Sequence, residues 1–203
     1  MYKERSIFKM GKTKLNISFN SPVILTFTII CFAALILNII TGGFANRLLF
    51  SVYRSSLLSP FTYIRFIGHV FGHAGWSHLI GNIMLILIIG PLLEEKYGSA
   101  NMLSVIIITA FTTGLVNFIF FPRVMLLGAS GVVFALILLS SFTSIKEGCI
   151  PLTFILVAVM YLGEQIYDGI FIQDNVSNLT HILGGLVGAS IGYALNKNKL
   201  SRY

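Results

Sequence analysis

Four polar residues have the types and spacing that a hydrolytic centre needs. Ser130 is a candidate nucleophile, and His181 supplies a single imidazole that titrates near neutral pH, able to take the serine proton and return it to a leaving amine. His78 and Asn82 stand at i and i+4, so they share one helix face and offer two side-chain donors to an oxyanion. Backbone N–H groups at Gly128 and Ser130, where a helix would begin, add to the same site with the positive end of the helix dipole. Gly128 and Gly131 flank the serine, while Gly184 and Gly188 follow the histidine at four-residue spacing. Small residues let helices approach closely in lipid, and a direct Ser130 to His181 hydrogen bond requires such an approach.

The elements that must position these residues are membrane spans. Of the 203 residues 56% are hydrophobic and 10% charged, far below the charged quarter of a soluble domain. The charges cluster. The gaps from Lys14 to Arg47, Arg65 to Glu94, Lys96 to Arg123, Arg123 to Lys146 and Asp174 to Lys197 each exceed the roughly 18 residues that cross hydrocarbon. A sixth apolar stretch covers 149–167. The reading is an all-α polytopic membrane protein with six transmembrane helices, at about 22–44, 78–94, 101–120, 127–145, 149–167 and 178–196. One membrane domain thus spans 22–196, between a basic segment, 1–21, and a tail, 197–203.

The net charge of +7 lies beside the spans, which argues against nucleic acid as the partner. Lys3, Arg5, Lys9, Lys12 and Lys14 precede the first span and Lys197, Lys199 and Arg202 follow the last, so both termini are expected in the cytoplasm. The first apolar stretch is too long for the core of a secretory signal and reads as a retained span. Cys31 and Cys149 fall at opposite depths, so no disulfide is expected between them.

In this topology spans 2, 4 and 6 all begin beneath the outer surface. Ser130 follows Arg123 by seven residues and His181 follows Asp174 by seven, which places both roughly 10 Å below the interface. His78 and Asn82 open span 2 in the same layer, where ionisable groups are functional candidates. Residues 46–77 form a large outer loop, too apolar to float in water, that is expected to lie against the outer interface. The outer connection at 168–178 is polar and expected to act as a lid.

From Phe61 to Asn196 the chain resembles the rhomboid protease family. Gly128-Ala129-Ser130-Gly131 is similar to that family's nucleophile motif, His181 with Gly184 and Gly188 to its catalytic histidine and helix-packing glycines, and His78 with Asn82 to its oxyanion pair. Arg65, His69 and His73 match the arginine and histidines of its first outer loop, and Glu94 with Gly98 and Ser99 the inner end of its second span. Phe134 replaces a tyrosine often found in bacterial members, keeping a ring to pack on His181, and Ile64 replaces a tryptophan. The resemblance implies a serine endopeptidase that cuts transmembrane segments of single-span proteins near the outer face, through a Ser130/His181 dyad without a third acid. It also implies lateral substrate entry between spans 2 and 5 and no cofactor, while a short chain with no transit peptide suits a bacterial cytoplasmic membrane.

Plainer roles fit other polar residues. His69 and His73 lack the Cys or carboxylate partners of a metal set and read as loop-stabilising, so no metal is expected. Glu164 sits near a helix end and reads as structural; Asn38 and Asn117 read as interhelical contacts. Gly42 and Gly43 end the first span. Two other functions compete. A non-catalytic binder of membrane segments would keep the fold without needing Ser130 and His181, and a transporter would show broken helices in repeated halves, which the sequence lacks.

Overall fold

The computed structural model describes residues 19–142 and 175–200, with positions 152, 155–157, 159, 160 and 163. The scattered positions are helical. The rest of the expected fifth span, Cys149, Glu164, positions 168–174 of the expected lid, and the basic residues of 1–18 and 201–203 lie outside the described residues.

Among the described residues the structure is helical, with one isolated β-bridge. The helices are α1 (Pro22–Ile40), α2 (Pro60–Gly68), α3 (Trp76–Tyr97), α4 (Ser99–Phe120), α5 (Ser130–Ser141) and α6 (Asn175–Leu200). α1, α3 and α4 are long and apolar enough to cross a bilayer, so the chain is a multi-pass membrane protein. α5 is a shorter apolar helix, so three of the expected spans are met by length and composition. Exposed Ile29, Ile36, Met84, Ile88, Leu92 and Phe111 line the outsides of these helices, an arrangement that costs nothing when the solvent is lipid. Ile24, Cys31, Leu79, Ile86, Met102, Val105, Val132 and Leu136 fill the core between them.

α1 ends where expected, at Gly42 and Gly43, whose φ of 59° and 92° only glycine adopts easily. Its other end is capped from a distance. Ser21 makes no side-chain cap and Pro22 has no N–H to satisfy. The amides of Val23 and Ile24 instead donate to the two carboxylate oxygens of Glu94, each at 3.0 Å, and Ser99 Oγ donates to the same carboxylate at 2.7 Å. A negative group at a helix N-terminus also complements the dipole. α1 lies close against α3, because a Cβ on Gly90 would stand 2.7 Å from Ile24 Cδ1. Glu94→Ala should therefore uncouple the two helices and cost about 2 kcal/mol, seen as a lower unfolding midpoint in detergent, with Glu94→Gln retaining part of the loss.

The outer loop is more ordered than a connection that merely rests on the interface. It contains a π-helical turn at Asn46–Phe50, then α2, then a 3₁₀ turn at His69–Phe71. α2 starts with Pro60 in its first turn and buries Thr62, Arg65 and Phe66, while Phe61, Tyr63 and Ile64 stay exposed. The 3.6-residue period explains this division into two faces. Near the C-terminal ends of α6 and α3, Asn196 Nδ2 of α6 donates to the Tyr97 hydroxyl at 3.1 Å, tying α6 to α3.

Candidate active site

Ser130 is the first residue of α5, so the N–H groups of the first turn have no carbonyl within their own helix. The segment leading to it is held by the outer loop. Val52 and Leu126 exchange backbone hydrogen bonds of 2.9 Å, and Asn117 Nδ2 donates to the carbonyls of Val52 and Val124 at 3.0 and 3.2 Å. The Gly128 N–H, expected as an oxyanion donor, donates to the His69 carbonyl at 2.9 Å. Gly128 contributes space instead. Its φ is +130°, and a Cβ there would stand 2.9 Å from both Cε1 and Nε2 of His78 and 4.0 Å from Ser130 Oγ. The imidazole of His78 thus lies against the backbone just before the serine.

A backbone N–H can only donate, and that of Ala74 reaches His78 Nδ1 at 3.4 Å. The proton of a neutral His78 then belongs on Nε2, the nitrogen beside Gly128. Asn82 Nδ2 donates to the His78 carbonyl at 3.0 Å, which leaves its second N–H for another acceptor.

α6 is brought onto α5 by glycines. A Cβ on Gly184 would fall inside contact distance of the Gly131 carbonyl, and one on Gly188 would do the same at the Ala135 carbonyl. Gly192, one turn further and absent from the expected set, packs on the Phe142 ring. Its four-residue spacing after Gly188 was the available signal. Beside Ser130, the Cα of Gly131 is ringed by the methyl groups of Thr113, Thr180 and Thr109. His181 follows Thr180 on α6, and its ring lies on Phe134 with centroids 4.4 Å apart. Ser130 and His181 are both half-buried. Two helices from distant parts of the chain thus meet where the serine begins one and the histidine lies near the start of the other.

Arg65, His69 and His73 knit the outer loop to this site. The Arg65 guanidinium stacks over Tyr53 at 4.5 Å and donates to Ser55 Oγ at 2.7 Å and Thr62 Oγ1 at 3.2 Å. His69 Nδ1 lies 3.2 Å from the Arg65 carbonyl and Nε2 lies 3.2 Å from Thr113 Oγ1. Since a carbonyl only accepts, Nδ1 carries the proton and Nε2 faces the Thr113 hydroxyl, which also donates to the Thr109 carbonyl at 2.8 Å. His73 Nδ1 likewise faces the Phe71 carbonyl at 3.1 Å, and its ring packs edge-on against His78, centroids 5.0 Å apart. Among the described residues no group of three or more His, Cys, Asp or Glu could hold a metal ion.

Burial lowers the pKa of His69 to about 4, against the weaker upward pull of the Arg65 and Phe66 carbonyls. Burial, and then the charge of His78, lower His73 to about 4 as well. The unfolded chain binds these protons near pH 6.5, so between there and about pH 4 it holds more protons than the folded one. Stability from both histidines is complete above that window and declines as pH falls through it. The unfolding midpoint in detergent should drop between pH 7.5 and pH 5, and His69→Asn should flatten the decline.

A family model described as Rhomboid domain matches residues 60–198, more than half of the chain. The chain is 32% identical to mouse rhomboid-related protein 2 over 160 residues, covering 68% of this chain and 53% of that protein. It is 25% identical over 193 residues to Rhomboid protease GluP of Bacillus subtilis (strain 168), covering 91% of this chain and 35% of the relative. Against Rhomboid protease GlpG of Yersinia pestis (strain Pestoides F) it is 25% identical over 183 residues, covering 87% of this chain and 64% of the relative. The chain spans about half the length of the mouse relative. With that match over most of its length, and with its apolar spans, the chain belongs to the rhomboid family.

Proposed function

We propose that this protein is an intramembrane serine endopeptidase that cleaves transmembrane segments of single-span proteins near the outer face of a bacterial cytoplasmic membrane. Six spans carry the site, with both termini in the cytoplasm. The observation that supports this most directly is the seating of α6 on α5 at Gly184 and Gly131, with Phe134 against His181.

In this mechanism His181 takes the proton of Ser130 Oγ as the oxygen attacks the scissile carbonyl. The resulting oxyanion is met by the Ser130 N–H, by Nε2–H of His78 and by the free amide proton of Asn82. Gly128 leaves room for His78, and Phe134 holds the His181 ring. When the intermediate collapses, the C–N bond breaks and the leaving amine receives the proton from His181. Water, deprotonated by the same imidazole, then hydrolyses the acyl-enzyme and restores Ser130. Arg65, His69, His73 and Glu94 position the loop and helices without touching the reacting atoms. A substrate helix must unwind to offer its peptide bond, since a helical backbone is already fully hydrogen-bonded.

The test is cleavage of a reporter transmembrane segment by purified protein in liposomes, alongside labelling by a serine-directed fluorophosphonate. Cleavage with labelling confined to Ser130 is expected. Absence of both across a varied substrate panel would favour a non-catalytic binder of membrane segments.

A further inference from the structure

Asn178 lies near the start of α6, three residues before His181, so the two side chains emerge on the same side of the helix one turn apart. Its side chain is only 7% exposed. Its amide Nδ2 is buried and finds no hydrogen-bond partner among the described residues. Burying a carboxamide donor without an acceptor is unfavourable, and a leucine of similar size would avoid that cost. On this same side of α6, His181 packs on Phe134 of α5. The unused donor therefore stands one turn from the imidazole, toward the N-terminal end of α6.

A transmembrane segment unwound for cleavage brings the complementary group. Each unwound peptide exposes a carbonyl oxygen that has lost its helical partner and must find a donor away from water. We infer that Asn178 is a substrate-binding residue whose amide Nδ2 donates to a main-chain carbonyl of the unwound segment held at Ser130. The inference rests on the proposed proteolytic function. It assigns the residue to recognition of extended backbone, a chemistry common to any substrate sequence, and so to a different task from the oxyanion donors.

The structural and binding roles predict opposite effects of one substitution. Asn178→Leu removes an unpaired buried donor, so the unfolding midpoint should stay the same or rise, while kcat/KM falls about tenfold, chiefly through KM. Asn178→Gln, which keeps the amide, should recover part of the loss. Peptide substrates in which carbonyl oxygens next to the scissile bond are replaced one at a time by sulfur, a poorer acceptor, should lose rate at one position with the wild type and not with Asn178→Leu. A lower midpoint for Asn178→Leu, or an unchanged kcat/KM, would overturn the assignment. Binding of the same segment to Ser130→Ala protein in nanodiscs needs no turnover and separates the two ideas. If the wild type cleaves nothing while binding weakens about tenfold on adding Asn178→Leu, recognition stands and proteolysis falls; binding that is absent, or indifferent to Asn178, removes the inference.

Discussion

Ser130→Ala is expected to reduce cleavage of a reporter segment by at least about a thousandfold while leaving the unfolding midpoint unchanged. The serine is half-buried at the first position of α5, where its loss neither opens a core cavity nor removes a packing contact on which the helix depends. His181→Ala should lose as much activity, with a small loss of stability because Phe134 then has no ring to lie on. The double variant should be scarcely worse than either single one, since a nucleophile without its base and a base without its nucleophile are equally idle. Liposome assays with each variant, paired with thermal unfolding, decide the matter. Residual cleavage by folded Ser130→Ala at a tenth of the wild-type rate would sink the dyad.

Gly184→Ala is the second large effect, reached by a different route. The added methyl would collide with the Gly131 carbonyl, a backbone atom that cannot rotate aside, so α6 must move away from α5. A displacement near 1 Å between base and nucleophile costs on the order of a hundredfold in rate, and the loosened helix pair should lower the unfolding midpoint as well. Gly81→Ala is the matched control, because nothing lies within 4 Å of a Cβ added there. Activity and midpoint should both separate these two glycines, and a Gly184→Ala protein with wild-type rates would show that the helices do not need this contact.

What could be read in the sequence follows from how far apart the interacting residues lie. Charge spacing predicts one depth for Ser130 and His181 because a bilayer would impose a common ruler on every span, and the four-residue repeat of Gly184 and Gly188 marks a helix face within one element. Contacts between remote segments leave no such trace. Nothing periodic announces that Glu94 hydrogen-bonds to the amides of Val23 and Ile24, or that the Gly128 N–H is used by the His69 carbonyl. Residues 46–77 read as an interfacial loop, yet Arg65 organises them from inside, with its charge turned to Ser55 and Thr62 and its plane on Tyr53. A buried arginine in a loop looks, in sequence, like an exposed one. The buried Nδ2 of Asn178 leaves no trace in the sequence for the same reason, because an unsatisfied donor can be recognised only when its surroundings are known.

The carboxylate cap on α1 also bears on the order in which the protein assembles. The amides of Val23 and Ile24 wait for an acceptor about seventy residues later in the chain, so α1 can enter the bilayer early but cannot lock into place until α3 has crossed and delivered Glu94 to the same side. The region matched by the family model begins at residue 60, beyond α1, yet it contains Glu94. A version starting there would carry a buried acid with its helix partner removed, so the cap makes α1 part of the packed bundle.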